Sequence, residues 1–341
     1  MQTEPGNPHI TARPAQSTHA GFKLLLALIS AILTLAAVEA VLRARGYRYM
    51  PLRVRMTQRS DWRMDHAFVD GHFEYDPKLI WRPRPNLSVF NARGWRGPEL
   101  SEAKQKGEFR VFALGDSNTL GWNYEDGPNW PRTLGELIES EHPGCVLVNA
   151  GVWGYSSYQG LGRLKELLRF QPDLVLWSFG ANDAQRVATA PDSDFAQREI
   201  RQYRVDRLLM QSHVGQLALE TMDRLSASGA RQPIPRVSAE QYAATMREAL
   251  EITEKNGAKL VVLTRPFRVR GRPPADWWIR HAPEYNRITR DFAASNGLVC
   301  VDLYGIFGED PRYFSDESHF NEDGHRLAAE YVYEAIRGLL P

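Results

Sequence analysis

The chain contains one long apolar run, residues 24–41, in which Glu39 is the only charged side chain. A helix of about 20 apolar residues spans the hydrocarbon core of a membrane. We therefore predict a single-pass anchor over residues 21–43. Two alternatives stay open, because residues 38–40 (VEA) could form a signal-peptide cleavage site and a long apolar helix can also be buried in a soluble domain.

The segments on either side of this run lack a clear periodicity. Residues 1–20 form a polar tail that we predict to be disordered, and residues 44–106 are rich in Arg, Pro, Trp and Tyr. We interpret residues 44–106 as a juxtamembrane connector that packs on the main domain. The arginines that follow the apolar run favour a cytoplasmic location for the rest of the chain, whereas chemistry directed at the cell envelope would favour the periplasm or the exterior.

Short apolar runs alternate with amphipathic ones from residue 109 onwards. Strands are predicted at residues 110–114, 146–149, 174–179, 260–264 and 298–301. Helices are predicted at residues 129–141, 157–170, 239–256, 284–295 and 322–339. Strands that are apolar throughout and are separated by helices indicate a parallel sheet covered on both faces. Residues 107–341 are thus predicted to form a three-layer α/β/α domain of the flavodoxin-like, doubly wound kind.

Two segments interrupt this alternation, and we interpret them as insertions. Residues 184–236 separate the third and fourth strands and include an amphipathic stretch at residues 205–225. Residues 265–279 follow the fourth strand and carry Trp277 and Trp278. Insertions at strand ends commonly shape a substrate cleft.

Composition narrows the choice of partners. The chain has 341 residues, with 42 Lys and Arg against 41 Asp and Glu, so no basic field points to a nucleic-acid partner. Two cysteines cannot form a disulfide framework or a four-ligand zinc site. A hydrophobic content of 43% excludes disorder over the whole length.

Candidate chemistry follows each of the first three strands. Ser117 lies in the sequence GDSN, where a sharp strand-to-helix turn can present a nucleophile. Gly154 lies in a glycine-containing loop whose backbone N–H can approach a ligand, and Asn182 carries an amide that can donate to an oxyanion. Each residue alone is equally compatible with an ordinary turn or helix cap.

Asp316 and His319 precede the last helix at a spacing of three residues. A carboxylate at this distance can accept a hydrogen bond from Nδ1 of the imidazole and leave Nε2 free to take a proton from a serine. A metal site is conceivable, but no further ligand lies at suitable spacing, so we expect neither a metal ion nor a cofactor. His325 is interpreted as a capping or surface residue.

In combination and in this order, the four motifs resemble the SGNH/GDSL hydrolase superfamily, over residues 108–341. The resemblance implies that Ser117 is the nucleophile, His319 the general base and Asp316 the residue that orients it. It also implies an oxyanion hole formed by the N–H groups of Ser117 and Gly154 and by the side chain of Asn182. Asn118 departs from the commonest pattern, which we interpret as a hint about substrate fit.

A second, less specific resemblance is to membrane-anchored bacterial members of the same superfamily. It rests on residues 91–97 (NARGWRG) and on Glu39 near the end of the apolar run. Trp122 and Trp153 follow motif residues, so they are candidates for substrate binding, as are the two tryptophans of the second insertion. Ordinary packing is the alternative for each tryptophan.

Three functions are compatible with these residues. The first is a serine esterase that removes short acyl groups, such as O-acetyl, from a cell-envelope carbohydrate. The second is an acyltransferase, in which an alcohol replaces water and the same triad operates. The third is a binding or assembly protein on a hydrolase scaffold, which the intact Ser, Gly, Asn, Asp and His set argues against.

Overall fold

A computed structural model describes residues 17–49, 63, 71–121, 127, 129–187, 190–226, 233–268 and 279–341. The chain divides into two compact units. The first comprises residues 1–52 and 205–228, and the second comprises residues 53–204 and 229–341.

The second unit is built on a parallel sheet. The strands of the described chain are β1 Phe73–Asp76, β2 Ile80–Pro83, β3 Phe109–Gly115, β4 Cys145–Asn149, β5 Leu174–Ser178, β6 Arg186–Val187, β7 Ile234–Pro235, β8 Lys259–Leu263 and β9 Cys300–Val301. Five of them form one sheet in the order β4-β3-β5-β8-β9, with every neighbouring pair parallel. The chain order of these strands reverses next to β3, so the cleft of the doubly wound fold is expected at the carboxyl ends of β3, β4 and β5.

Helices cover both faces of this sheet. The helices are α1 Ser17–Ala44, α2 Ser117–Leu120, α3 Trp130–Glu141, α4 Ser157–Leu167, α5 Ala181–Ala184, α6 Asp192–Asp194, α7 Ile200–Leu209, α8 His213–Ser226, α9 Ala239–Lys255, α10 Ala282–Asn296, α11 Leu303–Phe307 and α12 Glu322–Ile336. Helices α3 and α12 pack together, and α9 packs with α4 and α10. The three-layer α/β/α prediction is confirmed.

Helix starts follow local sequence signals. Asn129 and Ser238 cap α3 and α9 by accepting backbone N–H groups of Arg132 and Gln241. Such caps satisfy donors that have no partner within the helix. Their positions explain why the sequence locates these helix starts within one residue.

The connector contains structure that its composition did not predict. Strands β1 and β2 pair antiparallel as a hairpin, and Arg96 forms an antiparallel bridge with Asn149 at the end of β4. Buried side chains of the connector, among them Trp81 and Trp95, pack within the second unit. Residues 71–106 are therefore an integral part of the second unit.

The first unit contains the apolar helix and residues 205–228 of the long insertion. Helix α1 begins at Ser17, four residues before the predicted anchor, and residues 1–16 lie outside the described part of the chain. Its residues Gly21–Ala44 are long and apolar enough to cross a membrane, a property that signal sequences share. The amphipathic stretch at 205–225 is not one helix but the end of α7 and most of α8. Of the second insertion, residues 269–278 lie outside the described residues.

Candidate active site

The turn after β3 places Ser117 at the carboxyl edge of the sheet. A Cβ on Gly115 would lie 2.1 Å from Thr119 Oγ1 and 2.8 Å from the Ser178 carbonyl oxygen, so only glycine fits where strand and helix meet so closely. Asp116 caps the short helix α2 by accepting the Asn118 N–H at 2.9 Å. Ser117 therefore occupies the first position of α2, with 6% of its surface exposed.

A tight loop before α12 places His319. One oxygen of Asp316 accepts the backbone N–H groups of Ser318 and His319, each at 2.8 Å, while the other accepts Nδ1–H of His319 at 2.7 Å. Burial works against ionisation of this carboxyl, but these hydrogen bonds and the charge of His319 outweigh burial and lower the pKa of Asp316. Asp316 thus remains a carboxylate that fixes the tautomer of the imidazole.

The two loops meet although Ser117 and His319 are 202 residues apart. Ser117 Oγ lies 2.7 Å from His319 Nε2. With Nδ1–H donated to Asp316, Nε2 is the acceptor for the serine hydroxyl. The structure therefore brings the three predicted triad residues into one continuous hydrogen-bonded chain.

The loop after β4 holds Gly154 in a left-handed conformation, with φ of 71°. The carbonyl oxygen of Trp153 accepts the indole N–H of Trp81 at 3.1 Å. In a trans peptide the N–H points opposite to the C=O, so this bond fixes the direction of the Gly154 N–H. Arg236 Nη1 donates to the Gly154 carbonyl oxygen at 2.8 Å and fixes the next peptide as well.

A cluster of buried charged side chains holds the Gly154 loop in place. Arg236 pairs with Asp192 at 2.7 Å, and Arg63 pairs with the same carboxylate at 2.6 Å, all three side chains being fully buried. Burial disfavours the ionised Asp192, but the two guanidinium groups prevail and lower its pKa. Ser156 also donates to Asp192, at 2.6 Å. Arg236, from the end of the long insertion, is therefore held rigidly against the Gly154 loop.

The Asn182 amide lies between the other two loops. Its Nδ2 donates to the Tyr155 carbonyl oxygen at 3.1 Å and to Asp116 Oδ2 at 3.3 Å. The longer bond, to Asp116, is the weaker one. An oxyanion beside Ser117 could replace it as acceptor, and catalytic hydrogen bonds commonly tighten only when substrate is bound. Asn182 therefore lies within the cleft, where its amide already donates hydrogen bonds to Tyr155 and Asp116.

Arg265 connects the nucleophile turn with the histidine loop. Its Nε lies 2.9 and 2.8 Å from the two Asp116 oxygens, and its Nη1 donates to the Ser318 carbonyl oxygen at 2.7 Å. Both charged groups are almost fully buried. Sequence reasoning missed this pair, as it missed Trp81 and Arg236, because nothing in the chain relates residues 149 positions apart.

Two interpretations of single residues are corrected by the structure. Asn118 is buried and accepts the Phe320 N–H at 3.0 Å, so it ties the nucleophile turn to the histidine loop rather than shaping substrate fit. Of the two interpretations of His325, the surface residue is wrong, because it is 1% exposed, and the capping residue fits, because its Nδ1 accepts the Trp130 N–H at the start of α3 at 3.2 Å. Burial lowers the pKa of His325 to about 3, so it is neutral.

The triad opens into a cavity of about 340 Å³. Its lining residues are Ser117, Trp153, Gly154, Ala181, Asn182, Gln185, Arg265, Asp316, Glu317, Ser318 and His319. A larger cavity of about 760 Å³ lies beside β4 and contains none of the triad. Because the smaller cavity contains the nucleophile, base and oxyanion candidates together, it is the candidate active site.

Of the four tryptophans proposed from the sequence to bind substrate, the structure describes one. Trp153 lines the cleft and packs against Phe73 with 6.4 Å between ring centroids. Trp122, Trp277 and Trp278 lie outside the described residues. Among the described residues, no three His, Cys, Asp or Glu side chains converge where a metal ion could bind.

The chain is similar to known lipases and esterases. The model of the GDSL-like lipase/acylhydrolase family matches residues 113–327, more than half of the chain. An arylesterase of Vibrio mimicus is 35% identical over 88 residues, which cover 26% of this chain and 44% of that protein. Thioesterase 1/protease 1/lysophospholipase L1 of Escherichia coli K12 is 35% identical over 93 residues, which cover 27% of this chain and 43% of that protein.

The matched stretch thus spans less than half the length of these curated relatives. Among solved structures, a lipase/acylhydrolase from Enterococcus faecalis aligns with 68% of this chain and 97% of its own, at 19% identity and a TM-score of 0.46.

Proposed function

This chain belongs to the GDSL-like lipase/acylhydrolase family, and from that premise we propose that it is a serine esterase that hydrolyses carboxylic esters through an acyl-enzyme. The observation that carries the proposal is the chain of two 2.7 Å hydrogen bonds from Ser117 through His319 to Asp316. A serine hydroxyl is a weak nucleophile unless an adjacent base takes its proton.

The proposed reaction has two steps. His319 Nε2 takes the proton of Ser117 as Oγ attacks the ester carbonyl, and it then gives that proton to the leaving alcohol. Water, deprotonated by the same nitrogen, attacks the acyl carbonyl. The bond to Ser117 Oγ breaks, His319 returns the proton to Oγ, and the acid is released. The N–H groups of Ser117 and Gly154 and the Asn182 amide stabilise the oxyanion in both steps.

The proposed substrate is a short acyl ester, such as O-acetyl, on a cell-envelope carbohydrate. A cavity of about 340 Å³ lies near the lower end of small-molecule sites, about 300–1,000 Å³, and so favours a small acyl group. Gln185 Oε1 is buried at the cleft wall, where it has no hydrogen-bond partner among the described residues. An unpartnered buried acceptor is costly, and a sugar hydroxyl could donate to it.

Trp153 would serve this substrate as a platform for the sugar ring. Replacing Trp153 with alanine should then lower the rate on acetylated sugars more than the rate on a simple acetyl ester. An equal loss on both substrates would remove Trp153 from the binding site.

We also propose that α1 stays in the mature protein as a membrane anchor. Glu39 accepts the His213 Nδ1–H at 2.9 Å and the Val214 N–H at 2.8 Å, and so caps α8 from outside that helix. Cleavage after Ala40 would remove this carboxylate and leave the first N–H groups of α8 without it. Intact-mass measurement of the protein purified from membranes tests this proposal, because a cleaved chain would lack residues 1–40.

The catalytic unit is proposed to lie outside the cytoplasm, where an envelope carbohydrate is accessible. Fusions at Pro341 test this location: alkaline phosphatase should be active, and a fluorescent protein that folds only in the cytoplasm should be dark. The reverse pattern would place the esterase in the cytoplasm and exclude the envelope substrate.

The deciding experiment for catalysis is fluorophosphonate labelling of the full chain in detergent, with mass spectrometry to locate the adduct. Such reagents react with activated serines, so the adduct should lie on Ser117 and be absent in His319→Ala. Absence of an adduct from folded wild-type protein would contradict the esterase proposal. Product analysis in the presence of an added sugar alcohol then separates hydrolysis from acyl transfer.

A further inference from the structure

Helix α8 is amphipathic, and much of its apolar side is exposed. Its exposed side, which has the exposed Arg224 at its edge, is largely apolar and contains Leu217, Ala218, Thr221, Met222 and Leu225. At 100° per residue these positions, together with the half-buried Val214, occupy a sector of about 140°. An apolar stripe of this width usually faces a core, yet here Leu225 is 83% exposed and Met222 is 49% exposed.

The polar side of the same helix contacts the end of α1 and the residues that follow it. His213 and the Val214 N–H bind Glu39, Gln216 Oε1 accepts the Tyr49 N–H at 2.9 Å, and Glu220 accepts the Tyr47 hydroxyl. These contacts all lie within the first unit and join α8 to the last turns of α1 and the residues that follow it. The apolar stripe is therefore left facing outward by the contacts that hold the helix in place.

The position of this junction along α1 indicates what covers the stripe. Glu39 lies 18 residues after Gly21, where the membrane-compatible part of α1 begins, and at 1.5 Å per residue this is about 27 Å. The hydrocarbon core of a bilayer is about 30 Å thick. With α1 inserted, Glu39 would hold the start of α8 at the level where hydrocarbon meets headgroups.

Other residues of the first unit are also exposed and have the chemistry that a membrane surface requires. Val205 and Leu208 of α7 also belong to the first unit and are 45% and 66% exposed. Arg45 and Arg48, just after α1, are exposed as well. Basic residues beside an apolar helix face suit the anionic headgroups that flank the hydrocarbon core.

We propose that α8 is a membrane-surface helix, whose apolar stripe of Val214, Leu217, Ala218, Thr221, Met222 and Leu225 is buried in the lipid interface beside the anchor. The occupant is the bilayer itself, and no second protein is needed to cover the stripe. The bilayer would then contact the protein at α8 as well as at α1. This inference rests on the proposed anchoring of α1, and the test below separates the two.

The test places an environment-sensitive fluorophore on single cysteines of the full chain, reconstituted into vesicles of phosphatidylcholine and phosphatidylglycerol. The background carries Cys145→Ala and Cys300→Ala. Leu225→Cys and Met222→Cys probe the stripe, and Arg224→Cys is the matched control, because its side chain is exposed at the polar edge of the same helix. Leu28→Cys reports insertion of α1, and Glu330→Cys reports exposed surface of the second unit.

Spin-labelled lipids should quench the probes at 222 and 225 at least about twofold more strongly than the probe at 224, because an interfacial helix buries its apolar face about 5–10 Å deep. The probe at 330 should not be quenched. Equal quenching at 222, 225 and 224 would overturn the proposal, as would probes at 222 and 225 that are shielded from both lipid quencher and aqueous iodide, since another protein surface would then cover them.

Failure of the anchor gives a different pattern. If the probe at 28 is not quenched by lipid, α1 is not inserted and both proposals fall. If the probe at 28 is quenched while those at 222 and 225 are not, the anchor stands and the interfacial helix is wrong. Thermal melting of each labelled variant shows that the fold survives labelling.

Discussion

The two halves of the candidate site are held in different ways. On the triad side, Asp316 and His319 are three residues apart, and one loop supplies most of their hydrogen bonds. On the oxyanion side, the Gly154 loop is held by Trp81 from the connector and by Arg236 from the end of the long insertion. The Asp316–His319 pair is thus encoded locally, whereas the Gly154 loop depends on residues about 70 to 80 positions away.

The two groups of residues therefore have different roles: the triad carries out the reaction, and Trp81 and Arg236 position the Gly154 loop. Ser117 and His319 exchange a proton and Asp316 fixes the imidazole that carries it, so the loss of these residues should remove most of the activity. Within the Gly154 loop, Trp81 donates to the Trp153 carbonyl oxygen and packs against Tyr155, and Arg236 donates to the Gly154 carbonyl oxygen. Both residues position the loop, so their loss should weaken the oxyanion hole without abolishing it. The four predictions below test this ranking.

Ser117→Ala should cause the largest loss. Removing the nucleophile of a Ser-His-Asp triad costs about 10⁶-fold in kcat in a well-studied case, and we expect a loss of at least about 10⁴-fold on p-nitrophenyl acetate. Ser140→Ala is the matched control, because Ser140 is an exposed serine on α3 whose hydroxyl bonds only within its helix. Retention of more than a tenth of the wild-type kcat in Ser117→Ala would show that another residue is the nucleophile.

Asn182→Ala should rank second. Loss of one oxyanion donor typically costs about 10²–10³-fold in kcat, and KM should change little because the donor acts mainly on the transition state. The same substitution removes a hydrogen bond to Asp116, so Tm should be measured alongside the kinetics. Full activity in a folded Asn182→Ala protein would show that the amide stays on Asp116 and Tyr155 throughout the reaction.

Trp81→Phe should rank third, with a loss of about tenfold in kcat, because the Gly154 N–H loses one of the bonds that direct it. Trp95→Phe is the matched control: its indole N–H also donates to a backbone carbonyl oxygen in the connector, that of Pro98 at 3.0 Å, and it is buried away from the cleft. Equal losses in kcat for the two variants would mean that Trp81 contributes only packing.

How far the sequence predicts the site follows from the same contrast. Ser117, Gly154, Asn182 and His319 each lie next to the end of a strand or the start of a helix, so the alternation of apolar runs was enough to bring them to one edge of the sheet. The bounds of the sheet strands and of the five helices predicted between and after them were correct to within three residues because caps and apolar runs are local signals.

The supporting residues could not be predicted in this way. Arg265, buried against Asp116, follows β8, and its sequence neighbours give no sign that it enters the sheet edge rather than solvent. The β1–β2 hairpin of the connector was missed for a related reason, since four-residue strands containing Arg, Asp and Pro show no alternation strong enough to detect. Pairings between distant segments depend on the folded topology, which a single sequence does not display.

His325 provides the smallest expected effect on activity and the clearest effect of pH. Burial, followed by the nearby charges of His319, Arg265 and Arg96, lowers the pKa of His325 to about 3, whereas the pKa of an unfolded histidine is about 6.5. Between these two pH values, His325 is protonated in the unfolded chain but not in the folded protein. The free energy of unfolding must therefore fall as the pH drops from about 6.5 towards 3.

His325→Gln should remove that part of the pH dependence. Glutamine can still accept the Trp130 N–H through its side-chain oxygen, and His325 does not line the cleft, so kcat at pH 7.5 should stay within about twofold of wild type. Thermal melts at pH 7 and pH 4.5 measure the difference, because Tm should fall more in the wild type than in the variant. The difference in the pH dependence of the unfolding free energy should correspond to the uptake of at most one proton. Carboxylates such as Asp316 titrate in both proteins and cancel in the comparison. Parallel pH profiles would show that His325 is protonated in the folded protein, which would contradict its role as an acceptor at the start of α3.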